Sequence, residues 1–277
     1  MGALRRAVFT GLYCGSRALE RAATAFAHVA AGTLRLHELR HAIRRQWEES
    51  SARESERHIA SGLMPWEQAL YLPLLRPGDR ILVVGCGNGR DLLALLERGF
   101  RADGLDLSPR CTAIARDVLD RRGLRANLVA ADITTTALPA PVDVVIFSWF
   151  CYGYIPQAET RVGMLRRVKA QLNPGGRILI SYIPSPAPPR RLPIRLARLG
   201  ARLCGSDWQP EYGDRVFLAG PDQFVRYEHR FSAEAFEREM NAAGLRILLH
   251  EPSEGLAALA VPGDGEGAAA GGVRTEA

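Results

Sequence analysis

Ile81-Leu82-Val83-Val84-Gly85-Cys86-Gly87-Asn88-Gly89-Arg90-Asp91 decides how the rest of the chain is read. An apolar run suited to a buried strand gives way to three alternating glycines, and the pattern resumes as the helical run Leu92-Leu93-Ala94-Leu95-Leu96. The segment reads strand, tight turn, helix. The glycines let the backbone turn sharply and come close to a ligand, and the free N–H groups at the helix start favour something negative. Their spacing is shorter than that of dinucleotide-binding turns, and no Lys-Ser/Thr follows as a triphosphate-binding loop requires. A nucleotide-type cofactor site is expected, an ordinary tight turn being the alternative, so the meaning depends on what stands around it.

Outward from this turn the chain alternates regularly. Strands are expected at 80–84, 102–106, 127–130, 142–147 and 177–183, apolar throughout as parallel strands covered on both faces must be. Between them run helices: one ending near Arg98-Gly99, one opened by Ser108-Pro109 as cap and first-turn proline, and one through Met164, Leu165 and Val168. Asn173-Pro174-Gly175-Gly176 reads as the turn into the fifth strand. Segments 245–250 and 256–261 close the pattern as an antiparallel pair. The expected fold is α/β, a doubly wound, mostly parallel seven-stranded sheet with a terminal antiparallel strand, an N-terminal helical region and an insertion after strand five.

Residues 1–60 precede this core. Val8, Leu12, Leu19, Ala23, Phe26 and Val29 support one helix, and Leu36, Leu39 and Ile43 a second. These helices either cover the mouth of the site or pack outside the core; a basic surface touching anionic membrane is the weaker alternative. Pro65 opens a short helix before the first strand of the main domain, 61–262. Within that domain, 184–223 is rich in proline and arginine, with a helix from 194 to 204 and an irregular stretch from 205 to 221. Its place beyond a strand's carboxyl end suggests a substrate cap, with an elaborated surface crossover as the plain alternative. Residues 224–231 return as an extended stretch, and Ser232 caps the helix that follows. Glycine- and alanine-rich residues 263–277 read as a disordered tail.

The chain has 277 residues and a formal charge of +6, a surplus already present in the first 46 residues; Lys169 is its only lysine. Five cysteines, Cys14, Cys86, Cys111, Cys151 and Cys204, have no spacing for zinc or an iron–sulfur cluster, and six scattered histidines suggest no metal either. No run has the apolar length of a membrane span. A cytoplasmic protein in a reducing compartment is expected.

Asp106 closes the second strand about twenty residues after the glycines, where a carboxylate can accept both hydroxyls of a ribose. Asp132 ends the third strand; it can accept from the amine of an adenine with Ile133 against the ring, or cap the Thr134-Thr135-Thr136 turn. With these residues in register, the chain from 61 to 261 resembles the class I S-adenosylmethionine-dependent methyltransferases. The resemblance implies that Gly85, Gly87 and Gly89 hold the methionine part of S-adenosylmethionine, that Asp106 binds ribose, and that Asp132 approaches adenine. It extends the implied cofactor contacts to Cys86, Asn88, Leu107, Ile133 and Ser148. Many members carry an acidic residue where Val83 stands, which leaves backbone carbonyls or Asp91 to meet the methionine amino group. Pro65-Trp66 and the apolar Val83 are similar to the thiopurine methyltransferase branch, a likeness that fades after strand three.

Methyl transfer needs an in-line approach within a dry cavity more than it needs catalytic groups. Trp149, Tyr152 and Tyr154 follow strand four beside the expected methyl group, and with Trp66 they are the candidate substrate contacts; packing against the next helix is the plain alternative. No Asn/Asp-Pro-Pro-Tyr stretch follows that strand. His58 and His229 are the candidate general bases for a phenol or alcohol, against structural roles for both. The expected activity is methylation of a small molecule at oxygen or nitrogen, in specialised metabolism. Alternatives are a lipid, protein or RNA acceptor, or an assembly protein that has lost turnover. The arginine patches lack the aromatic interleaving of a nucleic-acid platform.

Overall fold

The computed structural model describes residues 3–51, 56–138, 141–185, 191–219 and 224–260, and in it three helices precede the sheet: α1 (Ala3–Thr33), α2 (Leu36–Ser51) and α3 (Glu56–Ala60). Pro65 opens α4 (Pro65–Tyr71), and the Glu67 carboxylate accepts from the Met64 N–H at 2.7 Å to close its first turn. β1 (Arg80–Val84) then feeds the glycine turn and α5 (Arg90–Glu97). β2 (Arg101–Asp106), α6 (Pro109–Arg121), β3 (Leu128–Ala130), β4 (Val142–Phe147), α7 (Ala158–Ala170) and β5 (Leu172–Ser181) continue the alternation. Ser108 caps α6 as its position implies, its Oγ accepting from the Cys111 N–H at 3.1 Å. The chain ends through α8 (Arg191–Cys204), β6 (Asp214–Ala219), β7 (Phe224–His229), α9 (Ala233–Ala242), β8 (Arg246–Glu251) and β9 (Leu256–Ala260).

The main sheet has seven strands in the order β3-β2-β1-β4-β5-β9-β8. Its strands are parallel except that β9 runs antiparallel to β5 and β8. Successive strands progress one way from β1 and the other way from β4, so the crevice at the carboxyl ends of these two strands is the topological switch point. Val84 lies level with Leu105 on one side and Phe147 on the other. Gly85, Asp106 and Ser148 therefore leave the sheet side by side.

Alternate residues of each strand enter opposite cores. Leu82, Val84, Val145, Phe147 and Ile180 pack with Met164, Leu165, Phe236 and Met240 of α7 and α9. Ile81, Val83, Val144, Ile146 and Leu179 pack with Leu70, Leu92, Leu95, Ala115 and Leu119 of α4, α5 and α6. Both faces are covered, which is why the strands read as continuous apolar runs.

Three features differ from the sequence reading. β5 begins at Leu172, not at 177, and ends at Ser181; the Asn-Pro-Gly-Gly turn is a bulge within it, where pairing jumps from Val142 opposite Leu172 to Val144 opposite Arg177. The stretch read as irregular contains β6, paired antiparallel with β7 in a separate two-stranded sheet with Val216 opposite Tyr227. The two N-terminal helices also part company. α1 packs on α8, where a Cβ on Gly32 would lie 1.8 Å from the Ala197 carbonyl oxygen and one on Gly200 2.1 Å from that of Val29. Only glycine permits that approach. α2 instead lies on β7, with Leu39 and Ile43 buried against Trp208 and Tyr227. The tail at 263–277 and the segments 186–190 and 220–223 of the insertion lie outside the described residues.

Candidate active site

A cavity of about 1170 Å³, part of it open to solvent, occupies the switch-point crevice. Val84, Gly85, Cys86, Gly87 and Asn88 form one wall, Leu105 to Ser108 a second, Asp132 to Thr134 a third, and Ser148, Trp149, Cys151, Tyr154, Ile155 and Pro156 a fourth. Most residues expected to hold the cofactor thus meet around one space: Gly85, Cys86, Gly87, Asn88, Asp91, Asp106, Leu107, Asp132, Ile133 and Ser148.

The glycine turn is tied to the strand beside it. The Gly87 N–H donates to one oxygen of Asp106 at 2.9 Å, and the Ser108 N–H donates to the other at 2.8 Å. Gly85 and Gly87 have φ of 71° and 51°, a region that favours glycine, and a Cβ on Gly87 would meet nothing within 4 Å. Gly89 departs from its expected place. It does not line the cavity; with φ 91° it starts α5, and a Cβ there would come within 3.1 Å of Ala115 Cβ on α6. Its part is helix packing.

Behind the turn lies a buried charged cluster. Arg90 donates from Nη2 to Glu67 at 2.5 Å and from Nε to Asp91 at 2.8 Å, and the Ser148 hydroxyl donates to the other oxygen of Asp91. Burial, then repulsion from Asp91, pushes the Glu67 carboxyl up to about 7 against the attraction of Arg90. The Arg90 guanidinium carbon sits 4.4 Å from the centre of the Trp149 ring, and Nη1 is buried with no hydrogen-bond partner among the described residues. An orphaned guanidinium donor beside the glycine turn fits a carboxylate such as that of a methionine moiety. Asp91, its two oxygens engaged by Arg90 and Ser148, lines the same cavity.

Asp132 plays the capping role that its sequence allows: Oδ1 accepts from the Thr134 N–H at 2.8 Å and the Thr134 hydroxyl at 2.6 Å. It also faces the cavity, so capping and contact with an adenine amine are compatible.

The turn after β4 is strained. Trp149 and Phe150 have φ of 48° and 61°, a region that costs non-glycine residues roughly 1–3 kcal/mol each. The Phe150 N–H donates to Ser181 Oγ at 2.8 Å and the Cys151 N–H to the Ser148 carbonyl at 2.9 Å, which holds the turn. The result presents Trp149 and Tyr154 to the cavity. Tyr152, expected beside them, is fully buried and donates its hydroxyl to Glu239 at 2.7 Å, because the short helix Cys151–Tyr154 turns it into the core. Trp66 stacks on Trp149 and Phe150, with ring centres 6.4 and 5.3 Å apart, and backs the wall without forming it.

The two histidines separate. His58 lines the cavity with its ring edge-on to Trp149. His229 does not: at the end of β7 it is buried against Phe231, and its Nδ1 lies 2.7 Å from Asp214, which also accepts from the Tyr227 hydroxyl. Glu211, Asp214 and His229 are close enough to hold a metal ion, but Glu211 already accepts from Arg161 and from the Ala158 N–H.

Sequence reasoning missed Arg40, Ile43, Arg44 and Trp47, all on α2 and all lining the cavity. Trp47 meets Tyr154 edge-on at 4.8 Å, and Glu48 accepts from the Ser108 hydroxyl at 3.2 Å. Their spacing along one helical face was the available signal. No described residue of the insertion lines the cavity; the insertion holds α2 in place, with the Leu36 N–H donating to Asp207 at 2.7 Å and the Ser206 hydroxyl to the Leu34 carbonyl at 2.5 Å.

Residues 81–176 match the family model described as a methyltransferase domain. Among characterised proteins, the demethylmenaquinone methyltransferase of Thermus thermophilus is 34% identical over 123 residues, which is 43% of this chain and 54% of that protein. The ribosomal protein L11 methyltransferase of the same organism is 28% identical over 109 residues, 39% of this chain and 40% of that protein. The chain spans about half the length of the curated relatives it matches. The structure of the Burkholderia thailandensis 1,6-didemethyltoxoflavin-N1-methyltransferase superposes with a TM-score of 0.56 at 21% identity, over 82% of this chain and 91% of that one, and shows the same fold. The glycine turn and the strand order with its antiparallel β9 match the Rossmann-like fold of the class I S-adenosylmethionine-dependent methyltransferases, and residues 81–176 within it match the methyltransferase domain.

Proposed function

We propose that the protein transfers the methyl group of S-adenosylmethionine to oxygen or nitrogen of a small-molecule acceptor. The observation that carries this reading is one cavity in which the glycine turn and Asp106 adjoin a mouth lined by Trp47, Trp149 and Tyr154. Gly87, Asp106 and Asp132 would hold the nucleoside, and Arg90 with Asp91 the charged end of the methionine. When bound, the cofactor supplies an activated methyl group on a sulfonium, so the protein's work is to orient the acceptor and exclude water. Trp149 and Tyr154 offer aromatic faces toward a sulfonium and a flat acceptor.

His58 would accept a proton from an acceptor hydroxyl; its position in the cavity lining, which His229 does not share, supports this role. Relatives named for small acceptors support the reading, among them the demethylmenaquinone enzyme and the aklanonic acid methyltransferase of a Streptomyces species. The ribosomal protein L11 enzyme is one relative named for a macromolecule, and a Streptomyces cypemycin N-terminal methyltransferase is another relative not named for a small acceptor. No helix among the described residues is long and apolar enough to cross a membrane, and all five cysteines are unpaired, which supports a reducing cytoplasmic setting.

The test is transfer from methyl-labelled S-adenosylmethionine to a panel of phenols, quinols, amines and acids, with a ribosomal protein extract and RNA as further arms. Label on a small acceptor supports the proposal. Label confined to protein or RNA overturns the acceptor class, and none in any arm overturns the activity.

A further inference from the structure

We infer that the acceptor carries an anionic group, carboxylate or phosphate, on a flat apolar body, and that Arg40 and Arg44 of α2 receive it. The inference rests on the methyltransferase reading and names the substrate class of the same site.

The two arginines are one helical turn apart and both line the cavity. Like charges at this spacing repel, so the placement is unfavourable by itself. Nothing nearby neutralises it: among the described residues neither guanidinium has a carboxylate partner, and Arg44 has only a 3.5 Å contact with His41. The two aspartates expected to meet the nucleoside are engaged elsewhere, Asp106 with the Gly87 and Ser108 N–H groups and Asp132 with Thr134. The cavity therefore carries two guanidiniums, Arg40 half-buried and Arg44 exposed at its mouth, with no carboxylate partner among the described residues.

The cofactor does not account for them. Its single carboxylate is matched by Arg90, beside the glycine turn. α2 is fixed at its far end by Glu48 on Ser108, next to Asp106. At 1.5 Å rise per residue, Arg44 lies about 6 Å and Arg40 about 12 Å along the axis from Glu48, moving away from the ribose position. In that direction the helix passes Trp47, edge-on to Tyr154, and Ile43, packed on Trp208 and Tyr227. The space between is lined by Ile43, Trp47, Trp149, Tyr154 and Pro156, so an apolar body lies against rings while its anionic end meets the arginine pair.

The experiment loads the full-length protein with S-adenosylhomocysteine and titrates it by ligand-observed NMR with 1-naphthoate, 1-naphthyl phosphate and the neutral 1-naphthamide. The expected result is binding of at least one anion about tenfold or more tighter than the amide. The two anions tell carboxylate from phosphate. Arg40→Gln/Arg44→Gln should abolish the preference with S-adenosylhomocysteine affinity unchanged, and Arg40→Lys/Arg44→Lys should retain it. Equal binding of anion and amide, no binding of either to the loaded protein, or a preference that survives the glutamine pair would each overturn the inference. So would loss of S-adenosylhomocysteine affinity in the glutamine pair but not in the lysine pair, which would assign the arginines to the cofactor. Failure of the unaltered protein to bind S-adenosylhomocysteine would instead overturn the methyltransferase reading.

Discussion

Gly85 and Cys151 touch where a side chain on the first would not fit: a Cβ on Gly85 would lie 2.7 Å from Cys151 Cβ. The contact joins the glycine turn after β1 to the strained turn after β4, and the Cys151 thiol donates to the Val84 carbonyl at 3.3 Å. Gly85 also has φ 71°. Gly85→Ala should therefore cost about 1–2 kcal/mol from backbone conformation alone, with the displaced Cys151 in addition. Thermal unfolding should register the loss, and S-adenosylhomocysteine affinity should fall about tenfold or more. Wild-type affinity in this variant would show that the turn is not held as described.

Arg161 is fully buried and holds three parts of the structure together. It donates to Glu239 from two nitrogens, to the Ile155 carbonyl at 2.8 Å and to Glu211 of the insertion at 3.0 Å. Arg161→Met leaves Glu239 buried beside the Tyr152 hydroxyl without its cation. Breaking such a pair from one side costs about 3–5 kcal/mol, measurable by urea unfolding. Arg161→Met/Glu239→Leu should recover much of that loss, because the uncompensated charge goes too.

The separation of the two histidines predicts different consequences. His58→Ala should lower kcat about 10²-fold for a hydroxyl acceptor with S-adenosylhomocysteine affinity unchanged. His229→Ala should leave kcat within about twofold and lower the melting temperature, since it removes the partner of Asp214 and the ring packed on Phe231. A reversed outcome would move the base to His229.

Glu67 gives the fold a pH signature. Its carboxyl is raised in the folded state, so between about 4.5 and about 7 the native protein binds more protons than the unfolded chain. Its contribution is greatest below that window and is lost as pH rises through it, by at most about 3 kcal/mol. Glu67→Gln, although less stable overall because its amide faces the Arg90 donor, should lack this slope. Unfolding measured from pH 4.5 to 8 checks the difference; parallel profiles would place the Glu67 proton elsewhere.

What the sequence makes legible follows the range of the interactions involved. The strand–turn–helix around the glycines and the caps at Ser108 and Ser232 are set by neighbours within a few residues, and the structure bears them out. Gly89 carries the glycine pattern and its φ of 91° favours glycine locally, but its close approach to Ala115 on α6, more than twenty residues away, is not visible in the pattern. Tyr152 and Tyr154 look alike in sequence and diverge because a short helix sends one to Glu239 and the other to Trp47. Arg40 and Arg44 stand between the apolar positions of α2, and nothing in the two residues alone marks them. Their place in the cavity depends on Leu39 and Ile43 packing on Trp208 and Tyr227, a contact across most of the chain.

The central claim is that the cavity at the ends of β1, β2 and β4 binds the cofactor through Asp106 and the glycine turn. Calorimetric titration of S-adenosylhomocysteine into the protein and into Asp106→Asn tests it most directly. One equivalent should bind the unaltered protein, and the variant should bind about tenfold or more weakly, roughly 1.4 kcal/mol. No binding to the unaltered protein, or equal binding to both, would contradict the account.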